Sequence, residues 1–542
     1  MRKINSLNDI REMHLLRRGR RRLIKLVYGR TLIMSTLIIL QVLFVAALVG
    51  TLNRYGPYMY MASMAVTVVT VLYIFNSDSD PSVKLSWLLF VAVGSPFGAL
   101  FYVYVRSDAG HRRLKKQMSR ILKYTSRAQP ETPLVMEAIE GRRPERAPFV
   151  HYLNDVCGYH PYPASDLKYY PLGEDFLPDF LEDLASAEDF IFLEYFIVTE
   201  GQMWGKILYI LSEKAREGVE VRLIYDGTNE FTNLPHSYPE MLKGLGIACR
   251  IFDPVTPFVS TEYNYRDHRK IAVIDGKIAY TGGLNLSDEY INVTHPFGHW
   301  KDVAIRTHGD GVATFTRLFL ESWNYRADRP IPSENCYIEA SARYGLRRTE
   351  GGRRTIQDGF IIPYADNPLD GERMGEQVYL DILQTASDYV YIMTPYLILD
   401  ETMVNAMTYA AKRGVDVRII LPHIPDKRYA FALAKSHYPK LLAAGISIYE
   451  YTPGFVHAKV FLGDGCRATV GSINLDYRSL YHHFEVGLYI DGNRVIDRIA
   501  SDFRMTLDRC QQISLEDTRG GGIRNRLDRA FGAVLKLLAP ML

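Results

Sequence analysis

Cysteine is scarce and scattered. Cys157, Cys249, Cys336, Cys466 and Cys510 form no CxxC pair, which argues against a cysteine zinc site or a disulfide framework and for reduced thiols. Net charge is nearly absent too. The 64 Lys and Arg against 61 Asp and Glu leave +3, too little for a chain coated in nucleic-acid-binding charge, so any basic patch must be local and no nucleic-acid partner is expected. Apolar residues are not lacking. At 47% hydrophobic and 23% charged, the chain is not mainly disordered. Its 542 residues can bury a sizeable core in about three or four units.

The averages hide a division. Residues 1–30 hold ten Lys or Arg and two acidic residues, with RRGRRR from Arg17 to Arg22. Residues 31–105 are then almost free of charge. Three apolar segments, Thr31 to Leu52, Pro57 to Phe75 and Leu85 to Val105, have the length a helix needs to cross about 30 Å of hydrocarbon. The first is too long and begins too late for a cleaved signal peptide. A multi-pass cell-membrane location follows, with the basic N-terminus cytoplasmic. Residues 106–150 are again basic, with Arg106, Arg112, Arg113, Lys115, Lys116, Arg120, Lys123 and Arg127 against Asp108 early on. Two basic flanks on one side need an even number of spans. The third segment carries Gly94, Pro96 and Gly98 at its centre, where proline permits a kink or a re-entrant hairpin. Two spans plus a re-entrant or interfacial segment, with the soluble part cytoplasmic, is the favoured expectation. Three spans with the soluble part outside is the other.

Beyond residue 123 the pattern is α/β. Short β-rich runs such as DFIFLEYFIV (189–198) and VEVRLIYD (219–226) flank a helical stretch, as strands joined by crossover helices do. The order recurs 190–200 residues later. KAREGVEVRLIYDG (214–227) answers AKRGVDVRIILPH (411–423), and GLGIACRIF (244–252) answers AAGISIYEY (443–451). Two long copies make the repeat unit a domain. The expected fold is two similar α/β lobes with mixed sheets flanked by helices, preceded by the transmembrane region. The divisions are a basic N-terminal segment (1–30), the apolar region (31–105), a basic linker (106–150), a first lobe (151–335), a connecting loop (336–360), a second lobe (361–515) and a basic amphipathic C-terminal segment (516–542). A site between two such lobes is a natural expectation.

The chemistry sits in the strongest part of the repeat. HRKIAVIDGKIAYTGGLN runs from His268 to Asn285, and HAKVFLGDGCRATVGSIN from His457 to Asn474. His268/His457, Lys270/Lys459, Asp275/Asp464, Gly282/Gly471, Gly283/Ser472 and Asn285/Asn474 are all 189 residues apart. One His-x-Lys is no signal, but two complete copies at identical spacing are. Alternation in a strand puts each His and its Lys on one face. Lysine ammonium and asparagine amide groups suit phosphodiester oxygens, and the small residues let backbone approach a ligand. Two histidines at one phosphate can divide the work, one attacking phosphorus, the other protonating the leaving oxygen and then serving as base. Lysines and asparagines would stabilise the equatorial oxygens, and no metal or other cofactor is needed.

These residues resemble the paired HKD motifs of the phospholipase D superfamily. NYRDHRKIAVIDGKIAYTGGLNLSDEYIN (264–292), GHWKDVAIR (298–306), TPYLILDE (394–401), YTPGFVHAK (451–459) and TVGSINLDYRS (469–479) are similar to its bacterial cardiolipin synthase subgroup, a likeness extending over roughly 31–542. The resemblance implies a two-lobed fold with one site between the lobes. It implies His268 as nucleophile through a phosphohistidine and His457 as general acid and then base, with Lys270, Lys459, Asn285 and Asn474 holding phosphate. It implies structural roles for the motif aspartates Asp275 and Asp464. It also implies an acidic residue after each motif that orients an active-site histidine: Glu485, 28 residues after His457, and Asp302, 34 after His268. The implied reaction moves a phosphatidyl group from one phosphatidylglycerol to another, giving cardiolipin and glycerol. Membrane lipids are therefore the expected partners. A phospholipase D, another phosphatidyltransferase and a membrane-tethered nuclease share the motifs and are the alternatives.

Other features read more plainly. His482-His483 has no further ligands at zinc spacing. Residues 343–354, rich in Arg, read as a solvated loop. The aromatic runs TPFVSTEYNY (256–265) and IYEYTPGF (448–455) are core or line a pocket that excludes water. The C-terminal IRNRLDRAFGAVLKLLAPML (523–542) has helical apolar spacing that suits anionic lipid or packing on the domain.

Overall fold

The structure is a computed structural model. It describes residues 56–519 apart from 78, 96, 107–108, 130, 165, 255–264, 326–331, 350–355 and 357, together with the single positions 39, 43, 532, 535, 536 and 539. The basic segment 1–30, nearly all of the first apolar segment, most of the aromatic run 256–265 and most of the C-terminal segment lie outside the described residues. The chain divides into two units, one formed mainly by residues 1–109 and the other by the remainder.

In the N-terminal unit the second apolar segment is helix α1 (Gly56–Phe75). The third is not one helix but two, α2 (Pro81–Val93) and α3 (Phe97–Arg106). Asp80 caps α2 by accepting from the Ser82 N–H at 2.8 Å. Close backbone approach explains the glycines at the break. A Cβ on Gly98 would lie 2.8 Å from Phe90 O, and one on Gly94 2.9 Å from it. The two arms pack through Trp87 and Tyr102, with ring centroids 5.0 Å apart, and through Phe90 and Phe101 at 5.7 Å. Ile74, Val91, Ala99 and Tyr102 form the buried centre, while Met61, Val69, Leu72 and Phe75 of α1 are exposed. Among the described residues, no helix is long and apolar enough to cross a membrane.

The second unit contains both lobes. In the first, β2 (Asp166–Tyr170), β3 (Phe190–Tyr195), β4 (Glu220–Asp226), β5 (Ala248–Phe252), β6 (Lys270–Ile274), β7 (Ile278–Gly282) and β9 (Ala304–His308) form one sheet in the order β2-β9-β7-β6-β3-β4-β5. In the second, β1 (Tyr162–Pro163), β10 (Phe360–Asp366), β11 (Tyr389–Met393), β12 (Asp416–Pro422), β13 (Ser447–Tyr451), β15 (Val460–Gly463), β16 (Arg467–Gly471), β17 (Glu485–Asp491) and β18 (Cys510–Ile513) follow the order β1-β10-β17-β16-β15-β11-β12-β13-β18. The run β9-β7-β6-β3-β4-β5 matches β17-β16-β15-β11-β12-β13 strand for strand. β3, β4 and β5 are parallel, as are β11, β12 and β13, whereas the motif hairpins β6–β7 and β15–β16 are antiparallel. Parallel strands buried on both faces need apolar runs and crossover helices. Gln202–Glu217 and Glu401–Lys412 are such crossovers. The first ends at Gly218, at φ 97°, a left-handed cap that glycine adopts without strain.

Three boundaries differ from the sequence reading. The supposed basic linker is packed helix. Leu114, Met118 and Ile121 of Ala109–Thr125, at helical spacing, are buried with Val135 and Ile139, and Thr125 donates to Glu321 at 2.8 Å. The supposed connecting loop begins as helix Asn335–Thr349, because Ile338, Ser341 and Ala342 form a buried stripe that the surrounding arginines mask in composition. Strand β1, assigned to the first lobe, pairs with β10 of the second. The five cysteines are unpaired.

The lobes are joined by polar as well as apolar contacts. Parallel strands β8 (His299–Lys301) and β14 (Gly454–Val456) pair between them. Lys301 Nζ lies 2.7 Å from Asp502 Oδ2, which also accepts from Tyr169 Oη at 2.7 Å. Both charged side chains are buried, so removing one strands the other. Asp502→Ala should cost about 3–5 kcal/mol of stability and lower the thermal unfolding midpoint, and Lys301→Met combined with Asp502→Leu should recover most of the loss.

Candidate active site

Both motif histidines end loops that lead directly into hairpin strands, so their backbones are fixed by pairing. His268 N–H donates to Phe484 O at 2.9 Å, and His457 N–H to Lys301 O at 2.7 Å. Phe484 and Lys301 immediately precede Glu485 and Asp302. Each histidine is thus docked against the acidic residue of the other lobe. His268 Nδ1 lies 2.9 Å from Glu485 Oε2, and His457 Nδ1 lies 2.6 Å from Asp302 Oδ2. His268 is 6% exposed and His457 8%. Holding Nδ1 of both rings leaves each Nε2 for a substrate.

The two pairs are not alike. Burial drives the Glu485 carboxyl well above its usual range, against the opposing effects of Lys270 and a hydrogen bond from Ser472. Burial also acts against ionisation of Asp302, but the His457 and Lys459 charges, with hydrogen bonds from His457 and the Val303 N–H, outweigh it and leave its pKa lowered. The small pair of each motif also differs, but in the opposite sense, since a donor to Glu485 favours its ionised form. Ser472 Oγ donates to Glu485, whereas Gly283 supplies no donor. A Cβ there would lie 2.1 Å from Asp302 Oδ1.

The lysines share the enclosure. Burial first, and mutual repulsion with it, lowers Lys270 to about 7. Burial lowers Lys459 to about 8 despite Asp302 and Glu485. Lys270 Nζ donates to His268 O at 2.6 Å, and Lys459 Nζ donates to His457 O. Burial, then Lys270 and His483, push His268 well below its usual range, and burial with Lys459 takes His457 to about 4. An anionic phosphodiester would reverse these directions, since opposite charge favours the protonated cation.

Asp275 and Asp464 serve the backbone. Asp275 accepts from the N–H groups of Glu188, Asp189 and Phe190 at 3.0, 2.8 and 3.0 Å, and Asp464 from Ser387, Asp388 and Tyr389 at 2.9, 2.9 and 3.0 Å. Both have φ 52° and precede a glycine at φ 63°, so each pins a hairpin turn to the start of the neighbouring strand. Asn285 is buried with its carboxamide engaged, accepting from Ile197 N–H at 3.0 Å and donating to Tyr290 Oη at 2.6 Å. Asn474 is buried too, and its Oδ1 has no hydrogen-bond partner among the described residues.

Several neighbours were not singled out by spacing. Phe196 packs on His268 at 4.9 Å between centroids, while Tyr290, Trp300 and Phe455 surround His457 at 5.4, 5.5 and 5.9 Å. Arg269, fully buried, donates Nε to Glu485 O at 3.2 Å and Nη1 to Ser322 at 3.1 Å. His483 is 8% exposed, and its ring lies 5.5 Å from that of His268. With His268 and Glu485 it brings possible metal-ligand atoms within 4.8 Å of one another, but two buried ammonium groups beside them oppose a cation.

Comparison with known proteins agrees with this geometry. A family profile described as cardiolipin synthase, PLD-like domain matches residues 180–297 and 379–507. A second, phospholipase D-nuclease N-terminal, matches 65–106. A cardiolipin synthase of Alkalihalophilus pseudofirmus is 31% identical over 507 residues, covering 91% of this chain and 94% of the relative. This chain belongs to the cardiolipin synthase family of phospholipase D-like proteins. An uncharacterised protein of Streptococcus mutans is 45% identical over 87% of the chain and 99% of its own length. Among solved structures, phosphatidylserine synthase of Haemophilus influenzae matches with a TM-score of 0.54 at 16% identity, over 70% of this chain and 97% of that one, a likeness of fold. In a cardiolipin synthase-type site the unlike carboxylates have a measurable consequence. Asp302→Asn, which removes a charge, should lower turnover by about 100-fold or more. Glu485→Gln, which mimics a neutral carboxyl, should lower it by less than about 10-fold, with both read as steady-state lipid product formation.

Proposed function

We propose that the protein is a cardiolipin synthase that transfers a phosphatidyl group from one phosphatidylglycerol to another, giving cardiolipin and glycerol. The observation that carries the reading is the pair of histidines held through Nδ1 by unlike carboxylates. His268, beside a carboxyl biased toward its neutral form, suits a neutral nucleophile. Its Nε2 attacks phosphorus, forming a P–N bond as the bond to the glycerol oxygen breaks. His457, beside an ionised Asp302, suits the general acid that gives that oxygen its proton. The second phosphatidylglycerol then loses its hydroxyl proton to His457 as its oxygen displaces His268 from phosphorus. Lys270 and Lys459 neutralise the equatorial oxygens, with Asn474 as a further amide donor. The Asn285 carboxamide is better placed to hold Tyr290 against His457. Asp275 and Asp464 keep the hairpins in place.

Lipid substrates account for the N-terminal unit. The exposed apolar side chains of α1 and the α2–α3 hairpin suit burial in a bilayer, with the first apolar segment as a further anchor and the catalytic domain cytoplasmic. The aromatic wall around His457 suits exclusion of water from the intermediate.

The test is to incubate the full chain with labelled phosphatidylglycerol in detergent micelles, with a metal chelator present, and resolve the lipids. Cardiolipin and glycerol should form, and His268→Ala should abolish both. Phosphatidic acid alone would contradict transfer. With a lipid carrying p-nitrophenol as leaving group, which needs little protonation, His457→Ala should recover at least about 10-fold relative to wild type, whereas His268→Ala should stay inactive.

A further inference from the structure

Two residues before each carboxylate that holds a motif histidine, the two copies carry different rings. Trp300 precedes Asp302, and His483 precedes Glu485. Each ring centroid lies 5.5 Å from that of the histidine its carboxylate holds, Trp300 from His457 and His483 from His268. Both rings are buried, and the indole Nε1 and both imidazole nitrogens of His483 have no hydrogen-bond partner among the described residues. Buried polar atoms left unpaired cost stability, and in native proteins they call for a reason. An indole N–H can only donate, whereas a neutral imidazole also accepts. His483 Nδ1 faces Glu485 Oε1 at 3.7 Å, less than about 1 Å beyond hydrogen-bond length.

The needs of the nucleophile account for that imidazole. For Nε2 of a neutral His268 to carry the attacking lone pair, Nδ1 must hold the ring proton and Glu485 must accept it. A neutral carboxyl also has an O–H of its own to place. Donated to His268 Nδ1, it would force the ring proton onto Nε2 and block attack. His268 Nδ1 lies 3.0 Å from Oε1 and 2.9 Å from Oε2. Oε2 already accepts from Ser472 Oγ, which in turn accepts from Val486 N–H at 3.0 Å. The carboxyl proton therefore belongs on Oε1, and the unpaired acceptor facing it is His483. Burial, with Arg478, His482, Lys270 and Arg266, holds the His483 pKa well below its usual range, so the ring is neutral and keeps an accepting nitrogen.

We propose that His483 is a positioning residue that accepts the Glu485 proton at Nδ1 and so keeps His268 in the tautomer that attacks through Nε2. This rests on the reading of His268 as nucleophile and adds what sets its tautomer. No proton leaves His268 in the attack. The P–N bond forms at Nε2, the leaving oxygen takes its proton from His457, and the Nδ1–H stays against Glu485 Oε2. Trp300 offers Asp302 no acceptor, which matches a carboxyl whose pKa is lowered and a half-site that handles protons.

The test compares three variants of the full chain in detergent micelles, with labelled phosphatidylglycerol and a metal chelator present. His483→Phe keeps a ring and loses the acceptor. His483→Asn loses the ring but puts a carbonyl oxygen near the place of Nδ1. His483→Gln puts it near the place of Nε2, away from Glu485. His483→Phe and His483→Gln should lower kcat by about tenfold or more, the loss of one hydrogen bond, with KM moved by less than about twofold. His483→Asn should keep kcat within about threefold of wild type. If His483→Phe does not fold, judged by its thermal unfolding, the comparison of His483→Asn with His483→Gln carries the test. A ring that only fills space would give the reverse order. His483→Phe or His483→Gln at least as active as His483→Asn would overturn the inference and leave the transferase reading intact, as would a change confined to KM. Wild type that forms no cardiolipin, or that carries a phosphatidyl adduct on His457 in place of His268, would overturn the underlying reading and this inference with it.

Discussion

Two backbone hydrogen bonds that cross between the lobes set the site. His268 N–H to Phe484 O and His457 N–H to Lys301 O fix which carboxylate meets which imidazole, since Glu485 and Asp302 are the next residues along. One lobe alone would carry a histidine without its acid and an acid without its histidine. The short β8–β14 pairing and the Lys301–Asp502 contact hold that register. The two-copy fold therefore does more than duplicate a phosphate grip, because it completes each half-site from the other half.

Burial then makes near-identical half-sites unequal. Two lysines, three histidines and two carboxylates share one enclosed space, and desolvation penalises each charged form. Lys270 near 7 and Lys459 near 8 mark a centre short of negative charge. A phosphodiester supplies it, so substrate binding and protonation of the cationic groups are linked. Within that balance Asp302 keeps its ionised form and Glu485 is pushed toward neutrality. The serine that faces Glu485 in one copy, where the other has a glycine facing Asp302, works against that bias, so the difference comes from burial and the neighbouring charges.

Much of this was legible in the chain. The 189-residue offset located both lobes and the six pairs of motif residues, because the two motif hairpins turn in the same way at Asp275–Gly276 and Asp464–Gly465. Asp302 and Glu485 were found by their place after each motif, but their exchange between lobes was not, since spacing carries no information about which backbone pairs across an interface. His483 was weighed only as half of a zinc pair with His482, and spacing did not show that the chain turns it inward against His268. The basic helix Ala109–Thr125 read as a linker because charge dominated its composition, while its buried apolar stripe among the described residues, Leu114, Met118 and Ile121, is short.

In the proposed mechanism the first-copy histidine takes the phosphatidyl group while the second handles protons. Rapid acid-free quenching of the full chain with phosphatidylglycerol labelled at phosphorus, followed by proteolysis and mass spectrometry, reads it directly. The account predicts a phosphatidyl adduct on the peptide containing His268, absent from the peptide containing His457. An adduct on His457, with His268 unmodified, would contradict it.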